Sequence, residues 1–135
     1  MRSRTVRLPQ LAWFGNHQLE IDIPASWELT VCRMKGHAAP ALSEAGIRKA
    51  LARPIGCPPI RELARGKKEV VILFDDMSRP TRIAKLVPAV LEELAAAGVK
   101  DSAIRFIAAI GAHGALTRVD FAKKLGEDIL QRFTV

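Results

Sequence analysis

Two short apolar runs separated by an amphipathic stretch constrain this chain more than any other feature. Residues 69–74 read Glu-Val-Val-Ile-Leu-Phe, β-branched and large apolar side chains without alternation, which is the pattern of a strand covered on both faces. Residues 104–110 form a second run of this kind. Between them, apolar side chains recur at Ile83, Val87, Val90, Leu91 and Leu94, and Gly98 supplies a C-terminal stop. Pro88 does not suit a helix interior, so the regular part of the helix starts close to Val87. Strand, helix and strand over about 40 residues make a βαβ unit, and the handedness of such connections goes with parallel strands. The expected fold class is therefore α/β, a Rossmann-like βαβ parallel sheet core, with the C-terminal ends of both strands on one edge.

Composition changes character near Pro40. Residues 1–35 offer short alternating stretches (Val6 and Leu8; Leu19, Ile21 and Ile23; Leu29 and Val31) with turn signals at Gly15-Asn16 and Pro24-Ala25-Ser26, as in a small antiparallel β-meander. Residues 40–66 read as a helical connector. Leu42, Ala45, Ala50 and Leu51 fall near one helical face, Pro54 and Gly56 end that pattern, and a second short helix follows Pro58-Pro59. Residues 67–135 hold the βαβ core. Within them Thr117 and Asp120 have capping-box spacing for a helix ended by Gly126, and residues 129–135 start an apolar segment read as a strand without its sequel. With 49% hydrophobic and 26% charged residues, the chain is expected to form a single domain, 1–135, with one core. From the unmatched last segment the chain is expected to be the front portion of a longer protein.

The 21 Lys and Arg against 14 Asp and Glu give a net charge of +7, which favours anionic partners. Cys32 and Cys57 lie far apart without a Cys-x-x-Cys pair, so neither a disulfide framework nor a zinc ribbon is indicated; both are read as buried small hydrophobes in a reducing, cytoplasmic setting. No apolar run approaches the roughly 20 residues needed to cross a bilayer, so no membrane association is expected.

Ligands of open α/β sheets sit beyond the carboxyl ends of the strands. The loop there after the first run, residues 75–82, carries Asp75, Asp76, Ser78, Arg79, Thr81 and Arg82; the loop after the second reads Gly111-Ala112-His113-Gly114. Asp75 suits turn chemistry. Asp76, three residues before Arg79, is placed either to cap the turn or to hold that guanidinium in a charge-assisted pair. Arg79 suits bidentate capture of a carboxylate or phosphate. Arg82 and Lys85, at a helix entry, fit a solvated face or an anion site. His113, flanked by the backbone freedom of Gly111 and Gly114, can bring a proton-exchanging imidazole to a ligand. His17 and His37 sit in loop contexts and are expected to be exposed, and no His-x-His or His-Glu-x-x-His spacing makes a metal site.

These strings together, Phe74-Asp75-Asp76-Met77-Ser78-Arg79-Pro80-Thr81 followed by Ile110-Gly111-Ala112-His113, resemble the amino-terminal domain of the lactate racemase family. The likeness runs loosely from Leu19 to Phe133 and includes the Pro54-Ile55-Gly56-Cys57-Pro58-Pro59 connector. The resemblance implies a 2-hydroxyacid racemase or epimerase, an isomerase that uses a nickel-pincer nucleotide. In such an enzyme a histidine takes the substrate hydroxyl proton while the α-hydride moves to the cofactor, and return to the other face inverts the centre. Carried over residue by residue, His113 matches the catalytic acid/base, Arg79 the substrate-binding arginine, and Asp76 with Ser78 the cofactor-binding positions. The family's second catalytic histidine, its cofactor-bearing lysine, its nickel-ligating histidine and its carboxy-terminal domain would lie beyond Val135. The expected partners are thus a small 2-hydroxyacid and the missing carboxy-terminal part, and the isolated chain is expected to be inactive.

Two other readings stay open. A nucleotide- or nucleic-acid-binding module would use the +7 charge and the Arg79, Arg82 and Lys85 cluster, although 5% aromatic residues and no Tyr leave few stacking platforms and make nucleic acid the weaker partner. A structural domain would pair through an exposed sheet edge, in a homo-oligomer or with the missing remainder.

Overall fold

The computed structural model describes residues 3–9, 13, 15 and 17–135. It divides into two compact units, Met1–Ala41 and Leu42–Val135, at the composition change near Pro40.

In the first unit, β1 (Ser3–Pro9) pairs antiparallel with β2 (Gln18–Pro24). The pairing register puts Val6 opposite Ile21 and Leu8 opposite Leu19, so one face is apolar. On the other face Thr5 donates to Asp22 at 2.8 Å and Arg7 to Glu20 at 2.7 Å. Of the Gly15-Asn16 turn expected between the strands, Asn16 lies outside the described residues. The turn at Pro24 is present, closed by the Trp27 N–H on the Pro24 carbonyl at 2.9 Å. The meander stops there. Leu29 and Val31 belong to no strand, and Val31 is 63% exposed. Two alternating apolar residues without a face to bury them do not sustain a third strand.

The second unit holds every buried apolar residue of the described core. Its β3 (Val70–Asp75) and β4 (Ile104–Ala109) pair in parallel with Asp75 opposite Ala109, so the expected βαβ unit forms and the two strand ends are adjacent. The crossover runs through a 3₁₀ turn (Ile83–Lys85) into α3 (Val87–Ala96), where Pro88 occupies the first turn, a position that has no intrahelical N–H bond to lose. Gly98, at φ +81°, ends the helix in the left-handed conformation that costs glycine least. Ahead of β3 lie α1 (Glu44–Ala52), capped by Ser43, and the single turn α2 (Ile60–Leu63) after Pro59. The inward face of α1 is Ile47 and Leu51; Leu42 stands outside the helix, 67% exposed, and Ala45 and Ala50 face solvent.

Thr117 and Asp120 close a complete capping box at the start of α4 (Arg118–Leu125). The last segment differs from the expected strand. Residues 127–132 form α5 (Glu127–Arg132), because Glu127 and Asp128 favour a helix N-terminus and Ile129 and Phe133, four apart, both reach the core. Only Thr134 joins the sheet, its carbonyl accepting the Phe106 N–H at 2.8 Å on the side of β4 away from β3.

Phe74, Leu94, Ile104, Phe106, Leu125, Ile129 and Phe133 form the centre of the core. Each removes an apolar side chain from water for about 1.5–3 kcal/mol. Phe74 meets Phe121 and Phe106 meets Phe133 edge to face, with centroids 5.9 and 5.5 Å apart. Glu93, buried on α3, is held by a two-pronged pair from Arg61, which ties α2 to the crossover helix. Within the second unit the described residues cover one face of the sheet. Val71, Leu73 and Ile107 are 43%, 67% and 46% exposed, against the expectation that both faces of β3 are buried. An apolar run without alternation marks residues able to be covered on both sides, not the presence of the second layer. Cys32 and Cys57 are likewise exposed rather than buried, and both are free thiols. They sit in irregular segments that contribute nothing to the core.

Candidate functional site

The parallel register places the loops after β3 and β4 side by side, and their polar groups converge. Asp75 and Asp76 point to different partners. Asp75, the last residue of β3, accepts from the Thr81 hydroxyl at 2.7 Å and lies 2.9 Å from the Lys124 ammonium, a charge contact outside aligned hydrogen-bond geometry. Burial pushes its carboxyl up, and the Lys124 and Thr81 contacts outweigh that, so the net displacement is downward. This is the turn role foreseen for it.

Asp76 is 4% exposed. One carboxylate oxygen accepts the Ser78 N–H at 2.9 Å and the Ser78 hydroxyl at 2.5 Å; the other meets His113 Nδ1. Ser78 first, then His113, hold the carboxyl down at about 2, against the opposing effect of burial. Asp76 is therefore a carboxylate at neutral pH and can only accept. That fixes the tautomer of a neutral His113: Nδ1 carries the proton and Nε2 is left with its lone pair. The imidazole is 61% exposed, so a buried carboxylate backs a histidine open to a ligand.

His113 reaches this position through a turn closed by its own N–H on the Ile110 carbonyl at 3.0 Å. Gly111, at φ +56°, provides the left-handed second position of that turn; Gly114 has no such conformation. Arg79 shares the loop, and its N–H donates to the Asp76 carbonyl at 3.2 Å. Thus Asp76, Ser78 and His113 touch, and Arg79 is joined to them through the main chain. His17 and His37 are exposed and belong to the other unit.

Lys124 escapes a reading from motifs. Fully buried, its ammonium donates to the Asp76 carbonyl at 2.8 Å and the Arg79 carbonyl at 2.7 Å. The available signal is its place on α4: Phe121, Lys124 and Leu125 share the inward face, where a lysine is out of pattern.

The strand-end loops form an open rim. Hollows of 360 Å³, between α1 and the start of α3, and 480 Å³, at the amino ends of the strands, lie elsewhere. Among the described residues no three His, Cys, Asp or Glu side chains converge as metal ligands.

The parallel α/β unit thus gathers a carboxylate-backed histidine and an arginine-bearing loop beyond its strand ends. The chain belongs to the lactate racemase N-terminal domain family, which matches residues 14–135. A lactate racemase of Thermoanaerobacterium thermosaccharolyticum is 31% identical over 120 residues, 87% of this chain and 28% of that protein. A lactate racemase of Lactiplantibacillus plantarum is 37% identical over 84 residues, 62% of this chain and 20% of that one. The apoprotein structure of the Thermoanaerobacterium thermosaccharolyticum enzyme superposes with a TM-score of 0.69 at 29% identity, covering 97% of this chain and 29% of its own. The chain thus spans less than a third of the racemases it matches. Among the described residues no helix is long and apolar enough to cross a membrane.

Proposed function

We propose that this chain is the amino-terminal portion of a 2-hydroxyacid racemase acting on a lactate-type substrate, and that His113 is its acid/base on one face of the reacting carbon. The observation that carries this reading is the buried Asp76 carboxylate on His113 Nδ1. It holds the ring in the tautomer whose Nε2 takes a hydroxyl proton, and it stabilises the imidazolium that results. Asp76 and Ser78, foreseen at the cofactor, act in this reading as a support beneath the histidine. Arg79 supplies the cation for the substrate carboxylate, anchored through its own main chain.

A nickel-pincer nucleotide, when bound, supplies the acceptor for the α-hydride. Among the described residues no three metal-ligating side chains converge, so a complete metal site would need groups from elsewhere in the polypeptide. Nickel ligands, the attachment lysine and the acid/base of the opposite face come from the remaining polypeptide in this reading, which also makes the 135 residues alone inactive. The βαβ unit then serves as the start of a Rossmann-like sheet. Two free, exposed thiols suit a reducing cytoplasm.

The test is interconversion of L- and D-lactate by a polypeptide of the relatives' full length that carries these residues, supplied with the nickel cofactor. Turnover is expected in the parent and a loss of at least about 100-fold in His113→Ala, the lower range of general acid/base contributions, with the circular dichroism spectrum retained. Unchanged turnover in that variant would defeat the assignment.

A further inference from the structure

The loop that carries Asp76 and Arg79 has two main-chain carbonyls turned inward, and a buried carbonyl needs a donor. Both find it in one atom. Lys124 Nζ lies 2.8 Å from the Asp76 carbonyl, 2.7 Å from the Arg79 carbonyl and 2.9 Å from an Asp75 carboxylate oxygen. The side chain is completely buried and comes from α4, an element remote in sequence from the loop. An ammonium is a compact charge with several donors: two carbonyls take hydrogen bonds from it, and its charge faces the Asp75 carboxylate. A methionine of similar length would take the Lys124 donor from both carbonyls and the charge from beside Asp75, and the planar fork of an arginine cannot converge on the three from one point. The Asp76 carbonyl also closes the turn with the Arg79 N–H at 3.2 Å. Holding that carbonyl therefore fixes the segment from which the Asp76 carboxylate reaches Ser78 and His113.

We propose that Lys124 is a positioning residue, a buried clamp that sets the loop so that Asp76 supports His113. The significance of the clamp for catalysis rests on the proposed acid/base role of His113, but its action on the loop is measured without turnover. The test uses NMR on the 135-residue protein. In the parent, the Lys124 ammonium is expected as a resonance protected from exchange with water, and the Asp76 carboxyl is expected to titrate near about 2. In Lys124→Met the Asp76 midpoint is expected to move up toward the ordinary value of about 4, and the contact of Asp76 with His113 is expected to be lost. A double variant, Lys124→Met with Asp75→Asn, removes the carboxylate stranded by the single change and is expected to show the same displacement. A lysine acting on stability alone would lower the melting temperature and leave the Asp76 titration of the folded state in place.

An unmoved Asp76 midpoint in either folded variant would overturn the proposal. So would a parent Lys124 ammonium that exchanges as fast as those of exposed lysines, a result that needs no variant to fold. Failure of the full-length parent to interconvert lactate enantiomers would instead strike the racemase reading, and the NMR outcome would stand apart from it.

Discussion

The two ends of the parallel sheet spend their charges differently. At the amino end Glu69 and Arg105 pair across β3 and β4 with about half of each side chain in water. At the carboxyl end Asp75, Asp76 and Lys124 form a network in which the lysine is wholly buried and Asp76 nearly so. An exposed pair gains little, because water screens it and two long side chains lose freedom. A buried group has no water to fall back on, so each partner becomes indispensable to the other. Charge at the amino end decorates the fold, whereas charge at the carboxyl end shapes the loops that meet His113.

The contrast is most severely tested by Lys124→Met, which removes the charge facing the Asp75 carboxylate and a donor from two buried carbonyls and is expected to cost about 3–5 kcal/mol, read by urea denaturation. A loss under about 1 kcal/mol would erase the difference between the ends. Asp76→Asn sharpens the comparison along pH. The Asp76 carboxyl is held at about 2 in the folded chain, below its unfolded value near about 3.9, so its stabilisation is complete above about pH 4 and is lost as pH falls toward 2. The melting temperature of the variant is expected to fall less steeply than the parent's across that window, with little change of slope near neutrality. Thr117→Ala, which opens the capping box of the helix that delivers Lys124, is expected to cost about 1 kcal/mol. Glu69→Gln, at the opposite end, is expected to stay within about 0.5 kcal/mol of the parent.

Local rules expose most of the frame. Apolar runs at 69–74 and 104–110, the periodic stretch ended by Gly98, and the Thr117 and Asp120 spacing each depend on neighbours within a few residues, and each produces the element foreseen. The same holds for the convergence of the two strand-end loops, which follows once the strands are parallel and adjacent. What escapes depends on distant partners. The absence of a strand at Leu29 and Val31 reflects the lack of a surface to receive them, and the open face at Val71, Leu73 and Ile107 reflects a layer that an apolar pattern permits without supplying. Residues 127–132 became helix because Ile129 and Phe133 reach the core four residues apart, a periodicity too brief to outweigh β-branched and aromatic composition. Lys124 is the clearest case: 48 residues separate it from Asp76, and only the packing of α4 reveals that its charge points inward.

The division at Ala41 and Leu42 also governs how folding is observed by light. Both tryptophans, Trp13 and Trp27, belong to the first unit, and the second has none. Indole emission therefore originates in the first unit, whereas the α-helices of the second dominate far-ultraviolet dichroism. Comparing the two signals across one denaturation series asks, without a label, whether the two units unfold together.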